Sequence, residues 1–174
     1  MRKWVGGCAV TAMLGLAVRV GAAQAVQPVA KLDFNSVTGT WFEMARLPDK
    51  AEKHCQGDAM RIFALADKKG RFQLVDSCER TDGTKDVRNE DGRLSKAGDG
   101  RRRVIHLWPF SDKQWVLAVG PQQEWMLMGN PNRKELWVLS KTETMTPEVL
   151  AQVKGIAAGM GFEVGKMVRV EQGI

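Results

Sequence analysis

The chain has 174 residues, a formal net charge of +6, 44% hydrophobic and 26% charged residues, and six tryptophans with no tyrosine. That length is one domain's worth and enough to bury a real core. Beyond the N-terminal leader no stretch is apolar enough for a helix to cross a bilayer, which excludes a helical membrane protein of several spans.

Arg2 and Lys3 precede an apolar stretch from Val5 to Val18, and small residues end the leader at Ala23-Gln24-Ala25. This order is that of a secretory signal peptide over residues 1–25, with cleavage expected after Ala25. Arg19 ends an apolar run shorter than the roughly 20 residues of a membrane span, which argues against a retained anchor. Val5-Gly6-Gly7-Cys8 looks like a lipoprotein cleavage site only superficially, because the apolar segment follows Cys8 instead of preceding it. Residues 1–25 carry three cations and no acid, so residues 26–174 form a single domain of 149 residues with net charge +3. The product is expected in the periplasm or at the outer membrane, without a lipid anchor. Cys8 leaves with the leader, and in an oxidising compartment Cys55 and Cys78 are expected to form a disulfide, the alternative being two buried thiols. With His54 as the only nearby help, no metal site is expected.

Between Gly39 and Lys141, short alternating runs of β-favouring residues are each closed by turn chemistry. The runs predict eight strands, at 40–46, 59–66, 71–79, a polar 85–96, 103–108, 114–119, 124–128 and 135–141. Their breaks are built around Gly, Pro, Asn and Asp, among them Asp67 to Gly70, Asp82-Gly83, Pro109-Phe110-Ser111-Asp112 and Gly129 to Asn132. Connections this short pair sequence neighbours antiparallel. Simple pairing across the Asp67–Gly70 turn sets residue 59 opposite Cys78. A disulfide from Cys55 therefore needs a bend before the second strand or a bulge in it.

After Lys141 the period changes. Thr146-Pro147-Glu148 supplies an N-cap hydroxyl, a first-turn proline and an acid. Leu150, Val153, Ala157 and Met160 then fall on one helix face, Gly159 and Gly161 stop the helix, and 167–170 returns to strand. One helix covers only part of an eight-stranded sheet, so the sheet is expected to close on itself.

Gly39-Thr40-Trp41-Phe42-Glu43 resembles the opening Gly-X-Trp motif of the lipocalins. The similarity continues in order through Val116-Leu117-Ala118-Val119, Met128 to Asn132, Glu135 to Thr142 and the helix ending at Gly161-Phe162, and is to the bacterial branch related to apolipoprotein D. The resemblance implies an all-β, eight-stranded up-and-down antiparallel barrel with one C-terminal helix. It also implies that Trp41 plugs the closed end beneath a cation from the last barrel strand. That cation is Lys141 here, where the family usually has arginine, and Val119-Gly120-Pro121 stands where the family has Thr-Asp-Tyr.

The resemblance further implies binding, storage or transport of a hydrophobic small molecule, a fatty acid or lysophospholipid, in the cell envelope during membrane maintenance or stress. Strand parity sets Trp41, Glu43 and Ala45 on one face and Phe42, Met44 and Arg46 on the other. Glu43 is then a buried carboxylate that either anchors a ligand's polar head or bonds structurally. Trp108, Trp115, Trp125, Met126 and Met128 offer adaptable apolar surface for a ligand or for the wall itself. Arg101-Arg102-Arg103 reads as a solvated loop edge or a peripheral contact for an anionic membrane, and no nucleic-acid motif accompanies it. Catalytic motifs are missing, and no cofactor is expected; haem ligation by His106 is a minor alternative. The same residues also fit a protein-interaction barrel filled by its own side chains, or a lipid- or pigment-modifying enzyme.

Overall fold

The computed structural model describes residues 24–50, 52–107 and 110–173. The leader over residues 1–23, the side chain of His106 and Trp108 lie outside the described residues. Among those described, no helix is long and apolar enough to cross a membrane.

A 3-10 turn at Phe34–Val37, capped by Asp33, leads into the first strand. Gly39 follows with φ +89°, a left-handed conformation that side chains with a Cβ rarely adopt, and it turns the chain into β1 (Gly39–Arg46). The meander continues through β2 (Cys55–Leu65), β3 (Arg71–Arg80), β4 (Lys85–Leu94), β5 (Arg102–Leu107), β6 (Phe110–Lys113), β7 (Trp115–Val119), β8 (Trp125–Gly129) and β9 (Leu136–Ser140). Helix α1 (Pro147–Gly159) and the short β10 (Val168–Arg169) complete it. All strand pairs are antiparallel, in the order β6-β5-β4-β3-β2-β1-β9-β8-β7, with β10 on β1.

The sheet is an up-and-down barrel. Its outermost strands, β6 and β7, are halves of one bent strand hinged at Gln114. Gln114 N–H donates to Arg102 O at 3.1 Å and Val116 N–H to Gly100 O at 2.8 Å, so the ladder beside β5 runs across the hinge. Eight strands become ten by that break and by β10. Phe110, Ser111 and Asp112, expected with Pro109 as a turn, instead belong to β6, because pairing with β5 overrides their weak strand propensity.

Two register shifts in the β2–β3 pair, either side of Gly57, carry Cys55 from opposite residue 82 to opposite Arg80. A bulge thus brings the two cysteines together: Cys55 and Cys78 are disulfide-bonded with Cα atoms 5.6 Å apart. A further bulge between Glu43 and Ala45 corrects the parity of β1. Beyond it the alternation slips by one, and Arg46 joins Trp41 and Glu43 on the inner face.

Helix α1 forms as its sequence predicts. Thr146 Oγ1 accepts from Val149 N–H and Pro147 occupies the first turn. Val153 and Ala157 are buried against Ala45, Leu127 and Val138, on the outer surface of the barrel wall. A second cluster, with Trp41, Phe63, Phe72, Met126, Met128 and Leu139, fills the barrel itself. The C-terminal segment straps the seam: the Gln172 carboxamide donates to Glu43 O at 2.8 Å and Ala59 O at 3.1 Å.

Candidate functional site

Trp41 is fully buried at the closed end. Its indole N–H donates to Val37 O at 2.9 Å, so the 3-10 turn fixes the ring. Lys141 Nζ stands 4.0 Å from the ring centre and donates to Thr38 O at 2.9 Å, combining a cation–π contact with a backbone tether. Partial burial lowers the pKa of Lys141.

Directly inside, the apolar half is filled by the chain itself. Phe34 packs on Phe72 with centroids 5.1 Å apart, and the Phe72 ring lies over Gly92, where a Cβ would collide with it. Met126, Met128 and Leu139 complete the packing without exposure.

Above this floor the interior turns ionic. Arg46 Nη1 donates to Glu43 Oε1 at 2.8 Å, and its Nε lies 3.3 Å from Glu52 Oε2. Arg61 lies 3.3 Å from Glu52, 3.5 Å from Asp76 and 4.0 Å from Glu43, with its guanidinium 4.0 Å from the Trp137 ring centre. All these charged groups are buried. Burial opposes the charge on Arg61, but Asp76, Glu52 and Glu43 together hold its pKa above the usual range. Burial, reinforced by Glu52, pushes the Glu43 carboxyl up to about 8 against the pull of Arg61 and Arg46. Burial likewise raises Glu52 and Asp76.

Arg102 is different. Its guanidinium packs 4.2 Å from the centre of Phe63, Nε donates to Gln114 O at 3.1 Å and Nη2 meets Met128 Sδ, while Nη1 has no partner. Among the described residues no carboxylate forms an ion pair with it. Burial, and secondarily repulsion from Arg61, lowers its pKa to about 9. The expectation of a solvated arginine triplet therefore fails at its middle member: alternation along β5 turns Arg102 inward while Arg101 and Arg103 stay exposed.

The open end holds a cavity of about 460 Å³ above the ionic layer. Polar β4 lines it: Arg88 and Glu90 point inward at the mouth, while Gly92 and Leu94, further down, face the aromatic floor. Carboxylates outnumber cations among the described lining residues, with Asp49, Glu52, Asp76, Glu90, Asp112 and Glu135 against Lys50, Arg61, Arg88 and Lys134. Trp137 and Pro48 supply apolar surface. An outer groove of about 720 Å³ at Leu47, Asn132 and Gly161 adjoins the mouth, with Pro48 and Lys134 lining both. The arrangement suits a ligand that carries charges of both signs and a modest apolar part.

The residues singled out from sequence fall into separate places. Met126 and Met128 sit in the packed interior beneath the mouth, whereas Trp125 and Trp115 belong to the layer on the outer wall beside α1. Glu43 lies in the ionic layer, below the residues that line the cavity. His54, Cys55 and Cys78 cluster within 4.8 Å by their ligand atoms, but both sulfurs are in the disulfide and His54 Nε2 bonds Asp86 at 3.0 Å. Sequence reasoning missed Arg61, Asp76, Glu52 and Trp137. The available signal was a charge on the inward phase of two strands, Arg61 between Ala59 and Phe63 and Asp76 between Leu74 and Cys78.

The sequence comparisons point to one family, and the solved structures share the barrel fold. A sequence profile described as a lipocalin-like domain matches residues 32–172. The outer membrane lipoprotein Blc of Citrobacter freundii is 29% identical over 150 residues, covering 84% of this chain and 83% of that protein. Bovine apolipoprotein D is 21% identical over 148 residues, covering 80% and 77%. Among solved structures, insecticyanin from the tobacco hornworm Manduca sexta superposes with a TM-score of 0.68 at 19% identity, covering 88% of this chain and 87% of that one. Lobster apocrustacyanin A1 gives 0.63 at 12%, covering 80% and 79%.

Proposed function

We propose, since the chain belongs to the lipocalin family, that it binds a single-chain amphiphile at the open end of its barrel, a lysophospholipid in preference to a fatty acid. Membership of the family implies binding or transport of hydrophobic small molecules. The observation that carries the finer reading is the charge pattern of the mouth, where acids outnumber cations but both signs are present. A fatty-acid carboxylate meets net repulsion there. A zwitterionic head places its cation among the acids and its phosphate near Arg88 or Lys134. The acyl chain lies over Trp137 and Pro48 toward the outer groove, without unpacking the apolar half.

The setting we propose is the cell envelope, in membrane maintenance or stress; the name of the Blc relatives, outer membrane lipoprotein, supports the envelope part of it. Cleavage after Ala25, without lipidation of Cys8, is part of the same reading, and the intact mass of protein from its own host tests it. Of the Arg101–Arg103 triplet, only the exposed Arg101 and Arg103 are available to an anionic membrane.

A second reading is favoured by the packed interior, in which Trp41, Phe63, Phe72 and Leu139 are buried against one another. In it the barrel is a rigid body whose rim contacts a protein partner. Native mass spectrometry of protein from its own host, followed by titration of delipidated protein with lysophosphatidylcholine and with a fatty acid of equal chain length, separates the two. The first reading expects a co-purifying lipid and saturable quenching of tryptophan emission, tighter for the zwitterion. No saturation by either, with a partner chain on the native protein, leaves the second.

A further inference from the structure

The outer wall near the closed end carries a row of cations that no ligand in the mouth can reach. Register pairs Arg93 of β4 with Arg103 of β5, and Arg103 with Lys113 of β6, so three cations stand side by side across three strands. All three are exposed. Adjacent strands are about 4.8 Å apart, which makes the row roughly 10 Å long. Like charges directly opposite one another destabilise a sheet, and an anion laid across the row would relieve that repulsion.

The row lines an open trough of about 720 Å³ with Lys96, Arg101 and Trp115, and none of its lining residues is a carboxylate. Asp99, just outside, pairs with Arg101. Arg102 lines the trough from within and leaves Nη1 without a partner. Trp115 is half-buried, its apolar surface shared between this trough and the layer beside α1.

We infer that this wall is a docking surface for a bilayer rich in anionic phospholipid. A row of cations spread over three strands matches a layer of phosphates better than one soluble anion. A half-buried tryptophan at its edge is suited to the headgroup region. The choice of a membrane over another polyanion rests on the envelope location proposed above, whereas the vesicle measurement does not depend on any ligand of the mouth. Because the row lies at the closed end, the docked barrel keeps its mouth clear of the contact.

Co-sedimentation of the full chain with vesicles of phosphatidylcholine alone, and with vesicles rich in phosphatidylglycerol, tests the inference. Binding is expected only to the anionic vesicles and is expected to weaken as salt is raised. Each of Arg93→Gln, Arg103→Gln and Lys113→Gln should weaken it about fivefold, and the triple variant roughly a hundredfold, with no loss in melting temperature. Lys85→Gln, at the opposite end of β4, should leave it intact. Equal binding to both vesicle types, or an unaffected triple variant, overturns the inference. Saturation of the patch by inorganic phosphate at concentrations that abolish vesicle binding reassigns it to a soluble anion. Tighter retention on a DNA duplex than on anionic vesicles reassigns it to nucleic acid.

Discussion

Arg61 and Trp137 form the floor of the mouth, the guanidinium 4.0 Å from the ring centre, and Glu52 ties them together. Arg61 Nη2 donates to one Glu52 oxygen at 3.3 Å and the Trp137 indole N–H to the other at 3.4 Å. Its removal takes the cation from Asp76 and leaves Glu43 and Glu52 to share Arg46. Arg61→Ala is expected to destabilise by about 3 to 5 kcal/mol, the cost of leaving buried charge unpaired. Urea unfolding measures it, and a loss below about 1 kcal/mol would show that the acids find other partners.

The closed end makes a separate demand on stability. Trp41→Ala empties a fully buried site and should cost about 3 to 5 kcal/mol. Lys141→Ala removes only the contact over the ring and the bond to Thr38 O, and should cost less. Ligand affinity should survive in whatever fraction of Trp41→Ala folds, since Trp41 does not line the mouth. A variant that melts like the parent but binds no ligand would reverse the assignment.

Much of this fold is legible in the sequence because alternation and turn chemistry are local, and they carry most of the strands and the helix. The bulge at Glu43–Ala45 has no Gly or Pro to mark it, so the parity of Arg46 reads wrongly from spacing alone. Asp112 looks like a turn residue, yet it reaches the mouth because β6 pairs with β5. The ionic layer joins β1, β2 and β3 with the β1–β2 loop, and only closure of the barrel brings its members together. Arg102 is hidden for the opposite reason: a run of three arginines averages to a solvated surface, although strand alternation must turn its middle member the other way.

The Glu43 carboxyl gives a pH dependence of defined sign. Its folded value of about 8 lies above the ordinary 4.5, so the folded state holds the proton more tightly. Its contribution to stability is complete below pH 4.5 and is lost as pH rises through about 8. Glu52 and Asp76, also raised by burial, act in the same direction. Glu43→Gln should flatten the decline in stability between pH 5 and pH 8 without abolishing it. Melting temperatures across that window decide the matter, and an equally steep decline in the variant counts against the assignment.

Arg102 is a buried cation that makes no ion pair with a carboxylate among the described residues, held among Phe63, Phe72 and Met128. Replacing buried charge with an apolar side chain of similar volume is often stabilising by about 1 to 4 kcal/mol. Arg102→Met is therefore expected to raise the melting temperature, with Arg102→Lys giving no such gain. A fall in the methionine variant would mean that the bond to Gln114 O holds the β6–β7 hinge more strongly than the cation's desolvation weakens it.

The strapped seam also sets an order of assembly. β1 closes onto β9, pairing Phe42 with Ser140, and Gln172 fastens Glu43 across 129 positions of sequence. Until those late residues arrive, β1 has only β2 beside it, and its other edge is open to intermolecular pairing. The Cys55–Cys78 bridge spans just 23 residues and can form on a nascent hairpin long before closure. Oxidation can therefore precede barrel closure, and a chain that stops short of β9 keeps its disulfide while leaving the far edge of β1 unpaired.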